Sequence, residues 1–159
     1  MEPIILDNIP FQPTQEAIQI VLDTKLGKKS AEAFQKLIKE SQEIAKPKAI
    51  YKVAYLNEKG DDYIKTEGHT FKSRILRLKL GDIHRVFVYV ATCGRELEDW
   101  MNAKEEILDQ YYASVVNEMA LDAARDHLIA HIEGQYDLKK TASMAPGSLE
   151  DWPIQEQRP

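Results

Sequence analysis

RVFVYVATCG, residues 85–94, is the stretch that decides the fold class. Arg85–Thr92 is a nearly continuous run of β-branched and aromatic residues, the composition of a pleated surface buried on both faces, and it predicts a central strand. At Cys93-Gly94 the chain turns. From Arg95 to about Tyr136 the pattern is helical: RELEDWMNA forms one helix, and a longer one starts at about Lys104. Projected at about 100° per residue, Leu108, Tyr112, Val115, Val116, Met119, Ala120, Ala123 and Ala130 form one apolar arc on the longer helix.

Upstream of this switch, KAIYKVAYL (48–56) alternates as a strand does, with Ile50, Lys52, Ala54 and Leu56 on one side and Tyr51, Val53 and Tyr55 on the other. The turn NEKGDD leads to a second strand around Tyr63–Thr66. SRILRLKL can be read two ways, because Leu76, Leu78 and Leu80 alternate while Ile75 and Lys79 leave room for a helical turn. Nearer the start, Pro13-Thr14 opens a helix that ends near Gly27. Ser30 is placed to cap the next helix with its hydroxyl, and that helix breaks before Pro47. Residues 1–12 read as extended and irregular. The result is an α+β domain, with a helical region over 1–46 and an α+β core over 47–159, without an internal repeat or a low-complexity linker.

A chain of 159 residues is long enough for one domain with a core of its own. Its net charge of -5 and pI near 5.4 argue against a nucleic-acid binder, which needs a concentrated basic face. KLGKKS (25–30), the densest basic cluster, is too short to change this. One cysteine, Cys93, excludes an internal disulfide framework and a multi-cysteine metal site. The start, MEPIILDNIPFQP, lacks the features of a signal peptide, and no stretch approaches the roughly 18 apolar residues of a membrane span. The expectation is a cytoplasmic protein that does not engage a membrane.

Four features bear on chemistry. Asp126 falls within the projected apolar arc, with Asp122 at its edge; an inward carboxylate must be paired, hydrogen-bonded or protonated. It therefore either contacts a ligand at a cleft or makes a structural hydrogen bond, unless the helix bends first. His127 and His131 have the i, i+4 spacing of a metal pair, but no third ligand is visible and the residues between them are not those of HExxH. Cys93 stands at a strand-to-helix turn where helix amides can favour the thiolate, although a lone cysteine is usually a small buried apolar group. No catalytic triad, P-loop or dinucleotide fingerprint is present, and Gly81, Gly94 and Gly147 are isolated.

The fourth feature is the end, SMAPGSLEDWPIQEQRP (143–159). Pro146, Gly147 and Pro153 forbid a helix or strand, while Met144, Leu149, Trp152 and Ile154 call for burial, so an ordered loop is expected. Four segments taken together resemble the activation (reactivation) domain of vitamin B12-dependent methionine synthase and its stand-alone relatives. They are KPKAIYKVAYL, FKSRILRLKLGDIHRVFVYVATCGRELEDW, DQYYASVVNEMALDAARDHL and this terminal loop. The resemblance covers about residue 47 to the end.

What the resemblance implies is an α+β fold with a twisted antiparallel sheet and long helices, which binds S-adenosylmethionine in a shallow groove. It also implies docking on a corrinoid-binding protein or domain, so that cobalamin is reached only through that partner. The domain supplies placement and the cobalt supplies the nucleophile. Any enzymatic role implied is that of a component of a cobalamin-dependent methionine synthase-type methyltransferase. The family loop reads R-x-A-P-G-Y. Here Ala145, Pro146 and Gly147 match, while Ser143 stands at the arginine position and Ser148 at the tyrosine position. Asp126 or Asp122 is the acidic residue offered for the ligand's positive end. Relatives continue past DWPI with further strands, which implies a chain cut short at Pro159 and an open sheet edge through which an oligomer could form. A second expectation keeps the fold and the corrinoid partner without S-adenosylmethionine; a third is an unrelated α+β domain that binds a small molecule.

Overall fold

The computed structural model describes residues 1–158. In chain order the elements are β1 (Ile4–Leu6), α1 (Gln15–Val21), α2 (Ala31–Ile44), β2 (Lys48–Lys59), β3 (Tyr63–Thr66) and β4 (His69–Lys72). These are followed by α3 (Arg74–Leu80), β5 (Arg85–Thr92), α4 (Arg95–Asn102) and α5 (Ile107–Gln135). A π-helical turn, Leu22–Leu26, extends α1, and a short 3-10 helix, Ile154–Gln157, lies near the end. The fold class is mixed α and β, with a five-stranded antiparallel sheet in the order β1-β2-β3-β4 and β5 paired to β2.

The chain divides into two compact units. One consists of Met1–Ile4, Tyr51–Tyr89 and the residues from Leu138 onward; the other consists of Ile5–Ile50 and Val90–Asp137. The second unit is a helical assembly whose core is built on Phe34, Leu37, Leu97, Val115 and Val116. Two of its helices begin where the sequence supplies a cap or a glycine. Thr14 Oγ1 accepts the Ala17 N–H at 3.1 Å at the start of α1, and Gly94 stands at the N-cap of α4. Ser30 differs from expectation. It occupies the N-cap position of α2 in a helical conformation with no side-chain cap bond, because its hydroxyl is paired with that of Tyr112.

The first unit packs Leu56, Ile64, Leu76, Leu80 and Trp152 together. The ambiguous SRILRLKL is helical. Ser73 Oγ accepts the Leu76 N–H at 2.9 Å, and Leu76 and Leu80, one turn apart, are the buried pair while Leu78 is exposed. Strand β4, not expected from the sequence, forms a hairpin with β3, its end pair being Thr66 with His69. The two residues between them, Glu67 and Gly68, both have positive φ, at 50° and 80°. That is the twist a two-residue hairpin turn requires.

Two expectations about position are corrected. β5 is not a central strand, since it joins the sheet through β2 alone and none of its residues is fully buried. The central strand is β2, which buries Ala49, Tyr51, Val53, Ala54 and Leu56. A β-branched run fits any pleated, half-covered surface and does not by itself demand two neighbours.

The apolar arc predicted for α5 is also wrong at its ends, because Leu108, Ala130 and Asp126 are exposed. The buried line runs Tyr112, Val116, Ala120, Ala124, Leu128, Ile132, a strict four-residue step. Each such step gains about 40° on a 3.6-residue helix, so the line winds about 200° around α5 from one end to the other. A single projected arc averages over that winding and places Asp126 among residues that are buried only further upstream.

Candidate functional site

The segment from Ser143 to Trp152, in the first unit, is an ordered loop. Ala145-Pro146-Gly147-Ser148 is a β-turn closed by the Ser148 N–H donating to the Ala145 carbonyl at 2.9 Å. Proline at the second position and glycine at the third, with φ of 89°, is the type II pattern. The Ser148 hydroxyl adds to the closure, accepting the Ala145 N–H at 2.8 Å and donating to the Ala145 carbonyl at 2.6 Å. The Gly147 N–H donates to the Trp152 carbonyl at 2.6 Å, and Gln157 Nε2 donates to the Pro146 carbonyl at 3.1 Å. The bend is therefore knit to itself before any ligand is considered.

Two anchors hold it. Trp152 is 7% exposed, stands edge-on to Phe71 with centroids 5.8 Å apart, and donates its indole N–H to Glu156 at 2.9 Å. Asp151 reaches the start of α3, accepting the Ser73 hydroxyl and, at 3.1 Å, the Ile75 N–H. The Ser73 hydrogen bond, helped by backbone N–H groups, holds the Asp151 carboxyl below its ordinary range. A lowered folded-state pKa stabilises the fold above the unfolded value of about 3.9, and this is lost as pH falls through the folded value. Asp151→Asn is therefore expected to lower the thermal midpoint at pH 7, with the gap to the parent closing in acid. A gap independent of pH would assign the effect to geometry alone.

Gly147 is needed for two reasons. Its positive φ disfavours any side chain, and an added Cβ would stand 3.2 Å from Ile154 Cβ. Gly147→Ala is expected to lose about 1–3 kcal/mol in chemical denaturation; a loss within a few tenths would mean that the bend relaxes freely.

Of the residues expected at the site, Ser143, Ala145, Pro146, Gly147 and Ser148 lie together on this loop. Ser143, Gly147 and Ser148 are exposed, and Ala145 and Pro146 are half-buried. The Ser143 hydroxyl is paired with that of Tyr89. Both Ser143 and Ser148 are thus engaged by this chain's own atoms. Asp122 and Asp126 belong to α5 in the other unit and are exposed, Asp122 being ion-paired with Arg125 at 3.6 Å. The sequence did not nominate Tyr89, Asp151 or Glu156 as supports of the loop. Tyr89 and Asp151 meet partners far away in the chain, Ser143 and Ser73, while Glu156 meets Trp152 only four residues back.

The Cys93-Gly94 turn, in the second unit, borders an open cavity of about 490 Å³ lined by Lys48, Thr92, Gly94, Arg95, Glu98 and Asp99, among others. Cys93 is half-buried, and burial pushes its thiol pKa up, with the Glu98 and Glu96 carboxylates adding to the rise. This favours the small apolar group over a thiolate stabilised by helix amides, because removal from water outweighs the backbone contribution. His127 is exposed and His131 half-buried. Among the described residues no group of three or more His, Cys, Asp or Glu is arranged to hold a metal ion, and no helix is long and apolar enough to cross a membrane.

The loop offers shape rather than reactivity. Its hydroxyls and the N–H groups of Ala145, Gly147 and Ser148 are already bonded, so a ligand would meet the open face of Gly147 and the side of Pro146. Compared with known proteins, the chain matches no family model and no curated sequence.

Proposed function

We propose that the protein is an accessory, reactivation-type component of corrinoid-dependent methyl transfer, related to the methionine synthase activation domain that binds S-adenosylmethionine. The observation that carries this reading is the pinned Ala145–Ser148 bend, at the end of a chain that runs from a β strand through Cys93-Gly94 into a helix and then a long helix. In this reading the protein docks on a corrinoid-binding protein, which holds the cobalamin, and contributes placement. The bend would lie against the methyl donor. Bound S-adenosylmethionine supplies a transferable methyl group; this chain contributes no group that reacts with it.

The fit to that ligand is incomplete. A methionine carboxylate calls for a guanidinium or comparable donor, whereas Ser143 is paired with Tyr89 and Ser148 closes its own turn. This favours the second reading, a corrinoid-protein-binding module that has lost S-adenosylmethionine. Two measurements separate them. Titration calorimetry with S-adenosylmethionine is expected to give saturable heat under the first reading, and none at millimolar ligand under the second. Both readings require co-elution with a purified, hydroxocobalamin-loaded corrinoid protein of a methyltransferase system. Failure to form that complex would remove both.

A further inference from the structure

The start of α5 presents the most exposed cluster of large apolar side chains in the second unit. Ile107 is 86% exposed, Leu108 59% and Tyr111 49%. Ile107 and Tyr111 are one turn apart, and Leu108 and Tyr111 are three residues apart, so the three share a patch. With Glu105 and Glu106 they line an open groove of about 700 Å³. Apolar residues scattered singly over a surface need no explanation, but a contiguous patch with a polar rim is the mark of an interaction site.

The rim has one sign. Its charged lining residues, Glu105 and Glu106, take part in no ion pair among the described residues. The cations that could neutralise them are engaged elsewhere: Lys104 is bound to Glu40 at 2.8 Å and lies 4.6 Å from the centre of the Trp100 ring, and Lys25 is bound to Glu118 at 2.7 Å. Acidic residues suit the first turn of a helix, which accounts for the carboxylates but not for three apolar side chains left in water beside them.

We infer that this patch is a docking surface for a cationic amphipathic helix of a partner protein. Apolar anchors of that helix at i and i+3 or i+4 would fill the groove between Ile107, Leu108 and Tyr111, and flanking Lys or Arg would meet Glu105 and Glu106. Charge decides against the other occupants. A second copy would bring the same two glutamates against these two, on a chain of net charge -5. An anionic membrane would repel the rim. The inference does not depend on the corrinoid reading.

The test uses the full chain and a fluorescein-labelled helical peptide, LKKLLKKLLKKLLK, followed by fluorescence anisotropy. The expected result is saturable binding that weakens at least tenfold in Ile107→Ser/Leu108→Ser and loses much of its salt dependence in Glu105→Gln/Glu106→Gln. A scrambled peptide of the same composition, without an apolar face, is expected to bind at least tenfold more weakly. These side chains are exposed, so helix content and thermal midpoint should be unchanged in both variants. Equal binding of the scrambled peptide, or an Ile107→Ser/Leu108→Ser variant within twofold of the parent, would overturn the inference. So would a concentration-dependent dimer in sedimentation velocity that the same variant abolishes, or patch-dependent binding to phosphatidylserine vesicles.

Discussion

Trp152→Ala is expected to cost about 3–5 kcal/mol in urea denaturation, the range for removing a buried large aromatic. The side chain sits in the core of the first unit with Leu56, Ile64, Leu76 and Leu80, and its ring meets Phe71 edge-on. Its backbone carbonyl also holds the Gly147 N–H at 2.6 Å, so the loss should reach the bend. Limited proteolysis should then cut between Ser143 and Leu149 in the variant at protease levels that spare the parent. Trp152→Phe keeps most of the packing and removes only the indole bond to Glu156, so a loss of about 1 kcal/mol is expected. Equal losses for the two variants, or a Trp152→Ala loss below about 1 kcal/mol, would mean that the loop is not anchored by this ring.

Gly94→Ala is expected to be comparably severe, at about 3 kcal/mol or more. Gly94 has φ of 93° and ψ of 148°, a region essentially reserved for glycine. An added Cβ would lie 2.6 Å from the Lys46 carbonyl oxygen. That oxygen is backbone and precedes Pro47, which is fully buried, so it has little room to yield. Gly134, inside α5 with nothing within 4 Å of its Cβ position, provides the contrast. Gly134→Ala should stabilise by about 0.5–1 kcal/mol, because alanine replaces glycine in a helix without a clash. Thermal denaturation of the two variants side by side checks both signs.

The legible parts of the fold were those specified by local periodicity. The alternation in KAIYKVAYL marked β2, and the length of apolar pattern after Gly94 marked α4 and α5. Strand β4 escaped because Glu67-Gly68 is a weaker hairpin sequence than Asn-Gly or Asp-Gly. The place of β5 in the sheet escaped because propensity describes a pleated surface and says nothing of neighbours. The buried side of α5 escaped because it changes along the helix.

At the candidate site, Pro146-Gly147 announced the turn and its type. What fixes the turn was not readable. Asp151 meets Ser73 across 78 residues and Ser143 meets Tyr89 across 54, and no local pattern encodes such pairs. Ser143 and Ser148 both spend their hydroxyls on the loop itself.

The winding of the buried line along α5 has a mechanical consequence. A helix with one straight apolar stripe can roll slightly and keep its contacts, but α5 is keyed at Tyr112 and at Ile132 on nearly opposite sides. Any roll that favours one end lifts the other out of its seat. A single residue inserted after Ala120 would turn Leu128 and Ile132 by about 100° into solvent. The helix therefore behaves as a locked shaft: it can bend or travel as a body, but it cannot idle about its own axis.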